Sequence, residues 1–405
     1  MLKSVVSRVA LLVLWIVFIF FDAIFDDEML NHSSEISLAM QEWGGRTLEV
    51  FGLLFTIFFA YIVFALIFFH FIWAKTQLQA LYYFFVFGFA IMIGLWLKLM
   101  FYKGRPYVVN KGLKGSTCDP GMPSGHTIMS ITGYYVVHQI ITRELWPHSE
   151  DVRMPSKVIC TMITILIMIS RITLGDHSYN QVIMGALIAL NVLANIDFDT
   201  FCNRLAKLPG RLKTVLLPIE VLNLVLLLVF NYFNHKYRER PDLWQFMNKN
   251  PSCQNTFIIG SAQSVPFNSF FVGGFLYYPY ALVAPYKTGI ASYHDTTFWQ
   301  IVKRMGLHIT VASPALLLLV TIFFITKTET LDVYYKSVYI SILGSIMASY
   351  VALAMVNLSK RVLKACHLDR PEDYLNQAPP NHLEEREGIL DGVEIAKKGV
   401  DDYKE

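Results

Sequence analysis

The sequence predicts an all-α polytopic membrane protein, a helical bundle followed by additional C-terminal transmembrane helices. Three observations carry this expectation. Of the 405 residues, 54% are hydrophobic and only 16% charged, whereas a soluble chain of this size has about a quarter charged. The apolar residues come in blocks of about 17 or more with almost no charge, the length a helix needs to cross a bilayer. The basic residues fall on alternate short loops, as expected when one side of the membrane is cytosolic.

Length and charge sparsity mark spans at 9–25, 48–72, 79–101, 124–142, 157–174, 180–197, 214–233, 264–285, 306–326 and 336–357. They divide the chain into N-terminal spans (1–78), a central core (79–197), a C-terminal transmembrane extension (198–360) and a polar tail (361–405). The first segment is short and carries Asp22, so it reads either as an anchor or as a signal peptide. Lys3 and Arg8, the group Arg143, Arg153 and Lys157, the group Arg204, Lys207, Arg211 and Lys213, the pair Lys303 and Arg304, and finally Lys360, Arg361 and Lys364 all fall on one side, expected to be cytosolic. The opposite side receives Asp26, Asp27 and Glu28 and the loops around 102–123, 171–180 and 234–263. It also receives the glycosylation tripeptide Asn31-His32-Ser33.

A net charge of +3 gives no reason to expect a nucleic-acid partner. Five cysteines without CxxC spacing argue against a zinc site. Cys118 and Cys253 are the two that fall in outer loops. An oxidising lumen permits a disulfide between them, and two unlinked thiols are equally compatible with the sequence.

Three polar clusters converge on the outer face. Lys98 precedes Arg105-Pro106; Pro123-Ser124-Gly125-His126 opens one span; Ser170-Arg171 ends the next, with His177 following. Charges at that depth are costly unless they line a polar cavity. Lys98 and Arg105 are seven apart, so a continuous helix would put both on one face, although Pro106 predicts fraying at Arg105. With Arg171 they supply three cations for phosphate oxygens. Pro123 suits the first helical position, placing Ser124, Gly125 and His126 in a first turn whose N–H groups face an anion. Gly125 permits close approach of the phosphate, and the Ser124 hydroxyl adds a donor.

Two histidines are what double displacement at phosphorus requires. Spacing alone leaves open which attacks. We assign His177 as nucleophile and His126 as general acid, with no metal and no other cofactor required. Gln181 lies four residues after His177, on the same helical face, where its oxygen can accept the imidazole N–H. Taken singly, these residues read as interfacial anchors, an ordinary helix start and helix-packing residues. Asp176 reads as an N-cap. It is their joint order and spacing on one membrane face that points to a site.

The clusters resemble the signature of the phosphatidic acid phosphatase type 2 and vanadium haloperoxidase superfamily: Lys-x6-Arg-Pro, Pro-Ser-Gly-His, and Ser-Arg-x5-His-x3-Asp. The resemblance covers roughly residues 80–197 and implies a helical-bundle phosphatase core with the histidine roles given above. One position departs, Gln181 standing where the signature has aspartate. That glutamine is similar to glucose-6-phosphatases and dolichyl diphosphate phosphatases, and the latter lack spans beyond residue 213. Leu243-Trp244, Cys253 and Pro266-Phe267, with Cys118 and Gly133-Tyr134-Tyr135, also resemble glucose-6-phosphatases. This implies a small sugar-phosphate substrate, a gluconeogenic role in the endoplasmic reticulum membrane, contact with membrane lipids and a substrate transporter as partner. Lipid phosphate or dolichyl diphosphate hydrolysis is the alternative, and an inactive binding or transport relative is a third reading. Two features depart from the glucose-6-phosphatase pattern: the extra first segment, and Asp402-Tyr403-Lys404-Glu405 in place of a dilysine signal.

Overall fold

Long apolar runs become helices here, and their polar interruptions become the site. A computed structural model describes residues 5–59, 77–110, 120–146, 149–196 and 298–314, with isolated positions between and beyond them. The expected spans at 214–233, 264–285 and 336–357 and the tail lie outside the described residues apart from isolated positions. So do Cys118, Cys253, Leu243-Trp244 and Pro266-Phe267.

The described elements are α1 (Val5–Leu53), a π-helical turn (Leu54–Phe59), α2 (Gln77–Phe101), the short α3 (Pro106–Val109), α4 (Gly125–Ile140) with a second π-helical turn (Ile141–Leu145), α5 (Glu150–Thr173), α6 (Tyr179–Asn195) and α7 (Phe298–Ala312). No strand occurs among the described residues. The stretches Val5–Thr56, Tyr82–Val109 and Glu150–Thr173 are each long and apolar enough to cross a membrane, and Tyr179–Asn195 is apolar but shorter. The protein is an all-α membrane protein.

The expected outer loop between the first two spans is a helix instead. α1 bends at Phe25 and again at Gly45, which adopts φ +50°, a backbone region that glycine enters without penalty. Between the bends no proline interrupts the chain, and Leu30, Ser33 and Ser37 recur at helical spacing on the buried side. The segment therefore gains more by packing one face on the core than by looping into water.

The centre of the bundle is α4, packed on α2, α5 and α6, while α6 also packs on α1 and α2. Val63, Tyr83, Phe87, Met122, Ile128, Ile167, Met184 and Ile188 fill the interior. The first apolar segment belongs to this packing: Trp15 Nε1 donates to Met184 Sδ at 3.1 Å, and Asn191 Nδ2 donates to the Leu11 carbonyl at 3.2 Å. Outward, Val6, Val9, Val13 and Val17 stay exposed, as suits a surface solvated by lipid.

Small residues set how closely the helices approach. A Cβ at Gly185 of α6 would lie 2.7 Å from the Ser124 carbonyl at the start of α4. That obstacle is backbone and cannot rotate away. Gly185→Ala should therefore destabilise the folded protein by about 1–3 kcal/mol, the usual cost of overpacking, read as a lower midpoint in thermal unfolding in detergent. An unchanged midpoint would show that the two helix ends can separate freely.

Candidate active site

The site is built where three chain breaks meet. The first follows α2. Helical geometry ends at Phe101, four residues before Arg105 and earlier than Pro106 alone requires. Tyr102 donates its N–H to the Lys98 carbonyl at 3.0 Å and then turns at φ +50° with its side chain buried. The single continuous face expected for Lys98 and Arg105 is thus absent. Arg105 is extended and caps α3, with Pro106 in first position. Lys98 remains on α2 and donates to the Pro120 carbonyl at 3.0 Å.

The second break precedes α4. Ser124 is the N-cap and Gly125 the first helical residue, so Pro123 stands one place before the cap, not in the first turn. Ser124 is fully buried; its N–H donates to the Gln181 carbonyl at 3.0 Å and its hydroxyl accepts from Thr127 at 3.0 Å. Gly125 and His126 occupy the first turn, where backbone N–H groups lack intrahelical acceptors. A Cβ at Gly125 would meet no protein atom within 4 Å, so the fold itself does not demand glycine there.

The third break joins α5 to α6. Gly175 turns at φ +70°, and the His177 N–H returns to the Arg171 carbonyl at 3.1 Å. Asp176 is not the N-cap. Ser178 is, in a reciprocal capping box with Gln181. The Asp176 carboxylate accepts from Arg171 NH2 at 2.6 Å, with both side chains almost fully buried. Arg171 NH1 donates to Thr56 Oγ1 at 2.9 Å. Removing one partner of such a buried pair typically costs about 3–5 kcal/mol, so Arg171 is firmly aimed.

Arg105 closes the site by donating from NH1 to the Asp176 carbonyl, and the same nitrogen stands 3.2 Å from His177 Nε2. The other imidazole nitrogen, Nδ1, lies 3.1 Å from Gln181 Oε1. The Gln181 amide nitrogen donates to the Gly104 carbonyl at 2.7 Å, and the Ser178 N–H approaches Oε1 at 3.4 Å. A carbonyl on one side and an N–H on the other fix the orientation of the carboxamide. Oε1 must then accept from Nδ1–H, which leaves the lone pair of His177 on Nε2, beside Arg105.

His177 is buried, and its pKa is pushed well below the ordinary 6.5, first by desolvation and then by Arg105, Arg171, Lys98 and His126. Those four groups are the sequence-predicted cations and the second histidine, so His177, His126, Lys98, Arg105 and Arg171 share one electrostatic environment. The imidazole is neutral at pH 7. Sequence reasoning missed Asp176 as the partner of Arg171, Thr56 as its second acceptor, and Gly104 and Gly121 around Gln181. A Cβ at Gly121 would lie 2.6 Å from both Gln181 Oε1 and the Gly104 carbonyl. Asn31 is exposed on α1, while Ser33 of the same tripeptide is buried and accepts the Tyr179 N–H at 3.1 Å.

Gln181→Leu, which keeps volume but removes the acceptor, should lower kcat by about 10- to 100-fold, as for loss of an orienting neighbour, with KM little changed. Parental turnover in this variant would leave Gln181 a packing residue. The depressed pKa makes a separate prediction. Neutral His177 should persist as pH falls through 6.5, so formation of a covalent intermediate from an aryl phosphate should continue below that pH. Loss of the intermediate with a midpoint at the ordinary histidine value would contradict it.

Residues 79–196 match the model of the PAP2 superfamily, whose members are phosphatases and related phosphoesterases. No curated protein and no solved structure matches the chain. The matched region contains Lys98, Arg105, Ser124, Gly125, His126, Arg171, His177 and Gln181, and the match supports a phosphatase-type function for this all-α membrane protein.

Proposed function

We infer that the chain hydrolyses a phosphomonoester by double displacement through a phosphohistidine on His177. The observation that carries this reading is the orientation of that imidazole, Nδ1–H on Gln181 and the Nε2 lone pair toward Arg105. In the first step Nε2 bonds to phosphorus as the ester P–O bond breaks, and His126 gives its proton to the departing oxygen. In the second, His126 takes a proton from water, whose oxygen bonds to phosphorus as the P–N bond breaks and phosphate leaves.

Lys98, Arg105, Arg171 and the Gly125 and His126 N–H groups would hold the phosphoryl oxygens as charge builds on them. Bound phosphate would draw Arg105 away from Nε2 and release the lone pair for attack. The open space beside Gly125 suits close approach of a phosphoryl oxygen. Gln181 at the signature's aspartate position favours a sugar phosphate such as glucose 6-phosphate, with the site facing the lumen of the endoplasmic reticulum. A lipid phosphate or dolichyl diphosphate is the competing substrate class.

A panel of glucose 6-phosphate, phosphatidic acid, sphingosine phosphate and dolichyl diphosphate, offered to full-length protein in detergent, should give the highest kcat/KM for the sugar phosphate. A lipid substrate preferred by tenfold or more would overturn the substrate assignment. Loss of Lys98, Arg105 or Arg171 should each cost about 100-fold or more. His126→Ala should still accumulate phosphoenzyme from an aryl phosphate with a good leaving group, and His177→Ala should accumulate none. Label trapped on His177→Ala would reverse the assignment. Glycosylation tags near residue 112 should be modified and tags near residue 208 should not. The opposite pattern would put the site on the cytosolic face.

A further inference from the structure

The first apolar segment holds a carboxylate that the reaction does not use. Asp22 is only 2% exposed, an expensive place for a charge unless it is matched. It is matched on two sides. Lys103 donates its ammonium to Asp22 Oδ2 and approaches Asp26 Oδ1 at 3.0 Å. Asn180 Nδ2 donates to Asp22 Oδ1 at 2.7 Å, and Asn180 Oδ1 accepts from the Ser178 hydroxyl.

The sequence positions of those two neighbours give the arrangement its meaning. Lys103 precedes Gly104, whose carbonyl accepts the Gln181 amide N–H, and Arg105, which lies against His177 Nε2. Asn180 immediately precedes Gln181. The Asp22 carboxylate therefore clamps together the two chain segments whose separation sets the Gln181–Gly104 hydrogen bond. That bond in turn orients the carboxamide, and the carboxamide fixes the His177 tautomer. Backbone support exists on the far side, where the Gly121 N–H donates to the Lys103 carbonyl at 2.8 Å. On the near side the clamp is supplied by α1.

We propose that Asp22, through Lys103 and Asn180, is a positioning residue for the His177 nucleophile, so that the first apolar segment is a working part of the mature enzyme and not a removable leader. The inference rests on His177 acting as described under the proposed function.

The test uses the full-length chain in detergent, with kcat and KM measured on folded, monodisperse protein. The variants are Asp22→Asn, Gln181→Leu, their combination, and the paired Asp22→Leu/Lys103→Met, which removes both charges at once. Asp22→Asn keeps the shape and the acceptor for Asn180 but weakens the hold on Lys103. It should lower kcat by about 10- to 100-fold, as small misplacements near a reacting group do, with KM little changed. In combination with Gln181→Leu it should add almost nothing further, because both act through one imidazole. A merely structural role would lower yield and unfolding temperature but leave kcat per folded molecule at the parental value, and an effect on turnover independent of His177 would multiply with that of Gln181→Leu; either result overturns the proposal. If Asp22→Asn does not accumulate, the paired variant is read by the same criteria. A parent that releases no phosphate from any ester sinks the phosphatase reading and this inference together, whereas an active parent beside a fully active Asp22→Asn sinks the inference alone. Recovery of a mature chain that begins after Asp22 and is fully active would also end it.

Discussion

A single residue, Gln181, joins three pieces of backbone through its carboxamide and its main-chain carbonyl. Its nitrogen binds the carbonyl of Gly104 after the break in α2, its oxygen faces the His177 ring and the N-cap of α6, and its main-chain carbonyl receives the N–H of Ser124 at the start of α4. A buried amide left half satisfied would cost about 1–3 kcal/mol, so each of these segments is constrained to its neighbour. Gly121 has no side chain because a Cβ there would enter this same space. Tyr102 takes a left-handed turn because the chain must leave α2 in time to present Gly104. The helical bundle supplies rigidity, and the amide converts it into one tautomer of one imidazole.

Electrostatics give the site its second constraint. Arg105, Arg171 and Lys98 are held by internal acceptors: a carbonyl of the His177 loop, the Asp176 carboxylate with Thr56, and the carbonyl of Pro120. They are thus oriented before any anion arrives, and little reorganisation remains for the reaction itself. Burial first, and then the same positive field that would favour a phosphate, push the His177 pKa well down, which suits the nucleophile proposed for the reaction. Asp176 pairs with Arg171, and the group that meets Nδ1 of His177 is the uncharged Gln181.

Much of this was legible in the sequence because membrane chemistry makes polar residues conspicuous. Lys98, Arg105, His126, Arg171 and His177 stood out against apolar runs, and the i, i+4 relation of His177 and Gln181 anticipated their contact. Helix limits from charge sparsity fall close to α2, α4 and α6, while α5 begins at Glu150, seven residues before the expected start at 157. What escaped was fixed by tertiary contacts. Asp176 beside a helix start looks like a cap, and only the position of Arg171 makes it an ion-pair partner. Residues 26–44 carry charge and few apolar side chains, which reads as a loop, yet their buried stripe is built largely of serines that hydropathy does not register. Asp22 looked like a blemish in an apolar segment because its partners, Lys103 and Asn180, are about 80 and 160 residues away.

The central claim is that the Gln181 carboxamide holds Nδ1 of His177 and leaves Nε2 to attack phosphorus. The most direct measurement is phosphorus NMR of the denatured, phosphate-trapped enzyme, which distinguishes the two phosphohistidine isomers, combined with peptide mapping of the modified residue. The account predicts phosphate on Nε2 of His177. Phosphate on Nδ1, or on His126, would contradict it.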